Sequence, residues 1–193
     1  IYEALRRSGM RTVLATSELS AAFMAGGWAR VTGNPGVCLT IPGPGFTWSL
    51  TGLAEARLDS IPLLAITGAP PVSPPDKRFR QQELAQAAIA GPLVKRVFDA
   101  KESADLEVMV AAALEAAAAG EPGPVLLQIG SHAMREDASR SGPLVGEPSR
   151  PARPLDVAEL RRRVAAAQRP LLFVGQGVTM DAVLLRQFAE ALG

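Results

Sequence analysis

The chain has 193 residues, a length that fits one folded domain plus part of a second, and its 48% hydrophobic content excludes a disordered polymer. Twenty Lys and Arg against 19 Asp and Glu leave a net charge of +1, too small a basic excess for a nucleic-acid partner. One cysteine, Cys38, and one histidine, His132, exclude an internal disulfide, most zinc chemistry, and any Ser-His-Asp triad that does not use His132.

Ile1–Met10 predicts an amphipathic helix without the long apolar segment of a signal peptide. No Met opens the chain, so a preceding piece is expected, and no apolar run reaches the roughly 20 residues of a membrane span. These features, with the lone cysteine, read as a cytoplasmic chain without a membrane partner. Arg11–Ala15 predicts a strand, and Ser17 caps a helix that runs to about Val31 and stops at Gly33-Asn34-Pro35-Gly36. Gly36–Ile41 is a continuous apolar run, the pattern of a strand buried on both faces. The turn Pro42–Gly45 leads into a helix over roughly Phe46–Leu58, then a strand over Ile61–Gly68 and a Pro-rich loop over Ala69–Pro75. A helix over Gln81–Ala90, a strand over Leu93–Phe98, a helix over Ser103–Ala119 and a strand over Pro124–Ile129 follow. This alternation predicts an α/β fold with a doubly wound parallel sheet over residues 1–135.

Residues 136–156 hold Pro143, Pro148, Pro151 and Pro154 and read as a linker. Residues 157–193 predict a helix over Val157–Gln168, a strand over Pro170–Val178 and a helix over Asp181–Leu192. About 37 residues cannot bury a core alone, so this piece reads as the truncated start of a second α/β domain.

Glu18 falls at the first strand-to-helix turn, at the carboxyl edge of the sheet, where open α/β folds bind ligands. As a purely structural residue it would complement the helix dipole, worth about 0.3–1 kcal/mol. The glycines of Pro42–Gly45 permit close backbone approach, although an ordinary turn explains them as well. Cys38 reads as packing, His132 as a solvated side chain, and Gly175-Gln176-Gly177 lacks the full G-x-G-x-x-G of a nucleotide-binding turn.

Longer strings carry more information. Thr16-Ser17-Glu18-Leu19-Ser20-Ala21-Ala22, Gly26-Gly27-Trp28-Ala29-Arg30-Val31-Thr32-Gly33, Gly36-Val37-Cys38, Pro42-Gly43-Pro44-Gly45, and Asp59-Ser60-Ile61-Pro62-Leu63 through Ile66-Thr67-Gly68 follow one another in order. Together they resemble the pyrimidine-binding domain of thiamine diphosphate enzymes of the acetolactate synthase type. Gln82-Glu83-Leu84 through Lys95 and Gly123-Pro124-Val125-Leu126-Leu127 match the same family in spacing, so the resemblance covers about Ile1 to Glu136. Arg169–Val178 resembles the opening strand of the family's middle domain.

The resemblance implies a cofactor, thiamine diphosphate, and a role for Glu18 as the carboxylate that hydrogen-bonds N1′ of its aminopyrimidine and promotes proton loss at thiazolium C2. It places Pro42, Gly43, Pro44 and Gly45 at the pyrimidine ring and Gln82 in the active site. It implies decarboxylation or carboligation of a 2-keto acid or aldehyde, in a homodimer or homotetramer. The Mg²⁺ and diphosphate ligands belong to a C-terminal domain with a G-D-G motif, which these residues lack; no metal ligand is expected here. FAD binds some relatives in the middle domain, and nothing in this sequence calls for it. The sequence departs from the family pattern at Ile41, Pro42 and Trp48, where polar residues are usual, and Thr16-Ser17 precede Glu18 where His is common. Ile41 and Trp48 are therefore read, with Gln82, as an apolar substrate pocket. A non-catalytic or regulatory domain of the same fold is the alternative, and an unrelated nucleotide binder a third.

Overall fold

The computed structural model describes residues 1–70, 73–74, 76–103, 106–134, 156–175, 178 and 182–192. The chain divides into two units, Ile1–Arg150 and Pro151–Gly193.

In the first unit, helix α1 (Tyr2–Ser8) buries none of its side chains and is held by Glu3 pairing with Arg6 and Arg7, both at 2.7 Å. Helix α2 (Glu18–Thr32) leads to β1 (Gly36–Thr40), α3 (Pro44–Leu58), β2 (Leu63–Ala69), the short α4 (Gln86–Ala90), β3 (Val97–Ala100), α5 (Leu106–Ala118) and β4 (Pro124–Gly130). The four strands form one parallel sheet in the order β1-β2-β4-β3, as the α/β reading requires. The register sets Thr40 beside Thr67, Thr67 beside Gln128, and Gln128 beside Asp99, one row near the carboxyl edge.

Both faces of the sheet are covered over β2 and β4, which explains their near-continuous apolar runs, whereas β1, an edge strand, leaves Val37 52% exposed and is not buried on both faces as expected. On one face, Phe46 and Leu53 of α3 and Ala22 and Ala25 of α2 pack over Cys38, Ala65 and Leu126. On the other, Ala113 and Ala117 of α5 pack over Leu64, Val125 and Leu127. Fully buried side chains such as Phe46 and Leu53 each contribute about 1.5–3 kcal/mol. Arg30 ties α2 to α3 through Glu55, at 3.2 Å, and through Asp59, which raises the Arg30 pKa. Lys95 donates to the terminal carbonyls of α5, Ala116 at 2.6 Å and Ala119 at 2.7 Å; burial, then Arg57, push its pKa down.

Several expected elements differ. Arg11–Ala15 is not a strand: it joins no ladder, and Leu14 is 92% exposed. Strand preference is a fit to a pleated, half-buried surface, and this segment meets none. The apolar run Leu93–Val94 turns back on α4 instead, with both amides bonding Ala90 O, so β3 starts later, at Val97. The helix expected from Gln81 begins only at Gln86, because Gln82 has φ 58, outside the helical region. Ser17 holds the N-cap position of α2, but its side chain makes no capping bond.

In the second unit, Asp156 caps α6 (Val157–Ala166), accepting from the Glu159 amide at 2.9 Å, and α7 (Ala182–Leu192) follows. The expected strand over Pro170–Val178 is unpaired through its described residues, with Leu171 and Phe173 exposed. A strand needs a neighbour to satisfy its backbone, and the described residues of this unit form only helices. The linker reading of 136–156 falls, apart from Asp156, outside the described residues, as do Gln176 and Gly177. No helix of the described residues is long and apolar enough to cross a membrane.

Candidate functional site

Two helix starts meet beside the carboxyl end of β1. Glu18 is the first residue of α2, and Gly43 is the N-cap of α3 with Pro44 in its first turn. The partial positive charge of a first helical turn favours a carboxylate, and Glu18 sits in one. Proline suits the first turn of α3 because its missing N–H would have no helical partner there.

The two starts touch. A Cβ built on Gly45 would lie 2.6 Å from Glu18 Oε1 and 3.2 Å from Glu18 Cδ, and would also strike Ile41 Cγ1. The Glu18 carboxylate therefore rests directly on the bare Cα of Gly45, with Ile41 beside it. Glu18 is half-buried, and among the described residues its carboxylate takes no hydrogen bond or ion pair. A carboxylate anchored on one side and open to accept a donor on the other suits the edge nitrogen of a flat heterocycle. The residues present fit the aminopyrimidine of thiamine diphosphate on that ground.

The loop before α3 is held from below. Gly43 adopts φ 70 and ψ −122, a conformation for which glycine is the ordinary residue. Its Cα faces the backbone of Gln82: a Cβ there would come 2.8 Å from Gln82 Cα. Its N–H donates to Gln86 Oε1 at 2.8 Å. Gln86 Nε2 in turn donates to Gly68 O at 2.9 Å and Gln128 Oε1 at 3.3 Å. Pro42 packs near Gly68 at the end of β2. Beside Gln82, Glu83 accepts from the Ser73 amide at 3.1 Å, and hydrogen bonding from Ser73 holds its carboxyl below the usual range.

The structure thus gathers Glu18, Ile41, Gly43, Gly45 and Gln82 around one turn, with Pro42 and Pro44 completing it. Trp48 lies about one turn further along α3, 62% exposed. Gln82 is half-buried and meets the site through its backbone. His132 is exposed, 3.5 Å from Glu102. Cys38 is buried, and desolvation pushes its thiol up to about 12. Among the described residues, no group of three or more His, Cys, Asp or Glu could hold a metal ion.

Sequence reasoning missed Gln86 and Gln128. The signal for Gln128 was a lone amide inside the apolar run Pro124–Ile129. Gln86, among alanines, gave none. The hydroxyls of Thr40 and Thr67 in the same sheet row are buried and find no partner among the described residues.

Known proteins resemble this chain in sequence. The family described as thiamine pyrophosphate enzyme, N-terminal TPP binding domain, matches residues 1–89. The chain is 36% identical over 197 residues to the acetolactate synthase isozyme 2 large subunit of Escherichia coli (strain K12), covering 99% of this chain and 35% of that protein. It is 37% identical over 187 residues to an acetolactate synthase of Arthrospira platensis, covering 93% and 32%. It is 34% identical over 205 residues to acetolactate synthase 2, chloroplastic, of Nicotiana tabacum, covering 100% and 30%. The chain spans about a third of the length of these relatives. Residues 1–89 match the N-terminal TPP binding domain of the thiamine pyrophosphate enzymes, and along its whole length the chain is similar to the acetolactate synthases.

Proposed function

We propose that this chain is the pyrimidine-binding part of a thiamine diphosphate-dependent lyase or transferase that decarboxylates or ligates 2-keto acids or aldehydes. The observation that carries the reading is the Glu18 carboxylate, seated on Gly45 at the carboxyl edge of the sheet and open to a donor. When bound, the cofactor supplies an electron sink for the bond beside the substrate carbonyl. The chain's own residues do the rest on the pyrimidine side. Glu18 holds a proton at the ring's N1′, a charge-assisted hydrogen bond of the stronger kind. Gly43 and Gly45 let the ring approach the backbone, because neither carries a side chain. Ile41, 46% exposed, and the exposed Trp48 offer apolar surface for the substrate, with Gln82 as its polar neighbour. Mg²⁺ and the diphosphate are held, in this reading, by residues outside this chain, and FAD has no assigned residues in it.

A second subunit is part of the proposal. Helix α2 exposes Leu19, Phe23, Met24 and Trp28, apolar side chains at helical spacing that water covers poorly. That surface suits a homodimer or homotetramer. A reducing compartment, the cytoplasm, belongs to the same reading and fits Cys38 as a free thiol.

Glu18→Gln tests the site. In the full-length protein it is expected to slow deuterium exchange at cofactor C2 by orders of magnitude. Stability should change little, since the helix-dipole contribution is about 0.3–1 kcal/mol. Exchange at the wild-type rate would overturn the assignment of Glu18, and a wild type that does not accelerate exchange at all would favour a non-catalytic domain of the same fold.

A further inference from the structure

We propose that Gln86 is a positioning residue for the Glu18 site: it fixes the backbone of Gly43, and with it the Gly45 surface on which the Glu18 carboxylate rests. The proposal rests on the reading of Glu18 as the group that faces the cofactor.

Gln86 is 2% exposed, so its amide has no water to fall back on and its protein partners are obligatory. Those partners come from three elements that the sequence keeps far apart. Its Oε1 accepts from Gly43 N–H, 43 positions away; its Nε2 donates to Gly68 O at the end of β2 and, more weakly, to Gln128 Oε1 in β4. One rigid planar group therefore bolts the loop before α3 onto the two central strands of the sheet. The bond to Gly43 is the telling one. Gly43 has φ 70 and ψ −122, and glycine is free to leave such a conformation unless something outside the turn holds it. On the opposite side the backbone of Gln82 closes against Gly43 Cα. The segment 82–86 thus grips Gly43 by a contact at one end and a hydrogen bond at the other. Two residues on, Glu18 Oε1 lies 2.6 Å from the point a Gly45 Cβ would occupy, so a shift of Gly43 moves the wall of the carboxylate's seat. Gln86 makes its hydrogen bonds to Gly43, Gly68 and Gln128 and none to Glu18; it acts through the loop.

Three proteins test this: the full-length wild type, Gln86→Met and Leu127→Ala. Met keeps the length of Gln and removes both hydrogen-bonding functions. Leu127 lies in the core on the other face of the sheet and serves as a control for lost stability. The first readout is amide hydrogen exchange of the peptide over residues 41–47 in cofactor-free protein. Gln86→Met is expected to speed it at least tenfold, and Leu127→Ala much less at equal loss of Tm. The second is C2 deuterium exchange at saturating thiamine diphosphate and Mg²⁺, expected to fall about tenfold in Gln86→Met and to hold in Leu127→Ala. Unchanged exchange of residues 41–47 in Gln86→Met overturns the proposal, as does a C2 rate no lower than that of the control. If Gln86→Met does not fold, Gln86→Ala replaces it, because the smaller side chain admits water to the freed amide and carbonyls; the same outcomes then decide. Glu18→Gln run alongside separates the two claims. A normal C2 rate in Glu18→Gln sinks the site reading, whereas a slow Glu18→Gln with a normal Gln86 variant sinks the positioning role alone.

Discussion

Replacing Gly45 by Ala should separate the chemistry of this site from its stability. The new Cβ would stand 2.6 Å from Glu18 Oε1 and would press on Ile41 as well. Ile41 is half-exposed and can swing toward solvent. The carboxylate must retreat by about 0.8 Å to restore an ordinary van der Waals contact. A misplacement of that order in a reacting group costs up to about 100-fold in rate. The stability terms run partly in the opposite direction. Gly45 lies in the first turn of α3 at a φ open to any L residue, so Ala gains up to about 1 kcal/mol of helix propensity. The steric cost of one added methyl in a packed site is about 1–3 kcal/mol, reduced here by the freedom of Ile41. We therefore expect Tm to move by only a few degrees. C2 deuterium exchange, read by acid quench and proton NMR in the full-length protein with saturating cofactor, should fall about 10- to 100-fold. Wild-type exchange in a folded Gly45→Ala protein would refute the idea that the carboxylate works from its seat on Gly45. A large loss of Tm together with normal exchange would show that the contact only packs.

Two further outcomes follow from the core. A Cβ on Gly52 would come 2.6 Å from Ala22 Cβ and 3.3 Å from the Ala22 backbone, where α2 and α3 are both buried. Gly52→Ala should lower stability by about 1–2 kcal/mol in urea unfolding despite its better helix propensity, and an unchanged midpoint would contradict so close a helix approach. Cys38 titrates near 9.0 when exposed and at about 12 when buried, through desolvation. Between those values the unfolded chain loses the thiol proton and the folded chain keeps it, so stability is full below pH 9 and falls as pH rises. The slope is about 1.4 kcal/mol per pH unit. Wild type should therefore lose stability against Cys38→Ala as urea melts move from pH 8 to pH 10.5, and parallel curves would refute the burial.

The runs 61–68 and 124–129 were legible as strands because a sheet covered on both faces leaves few polar positions to break the pattern, the run 36–41 because its residues are apolar even where Val37 is exposed, and β1, β2 and β4 fall within a residue or two of them. Arg11–Ala15 shares that composition but lacks a partner strand, and pairing is not written in a segment's own residues. The site divides in the same way. Glu18 and the Gly43–Gly45 turn were singled out as candidates because the chain resembles the family in their spacing. What joins them was not, because it depends on distances between segments. Gln86, set among alanines, looks like any exposed helix residue until the sheet, the loop and Gln128 close around it. A buried amide must find partners, so once the fold places Gln86 beside Gly43 and Gly68 its role is tightly constrained by the cost of leaving them unpaired. The carboxylate proposed to carry the chemistry is therefore the easier half of this site to read, and the backbone geometry that gives it a fixed address is the half that only the folded chain reveals.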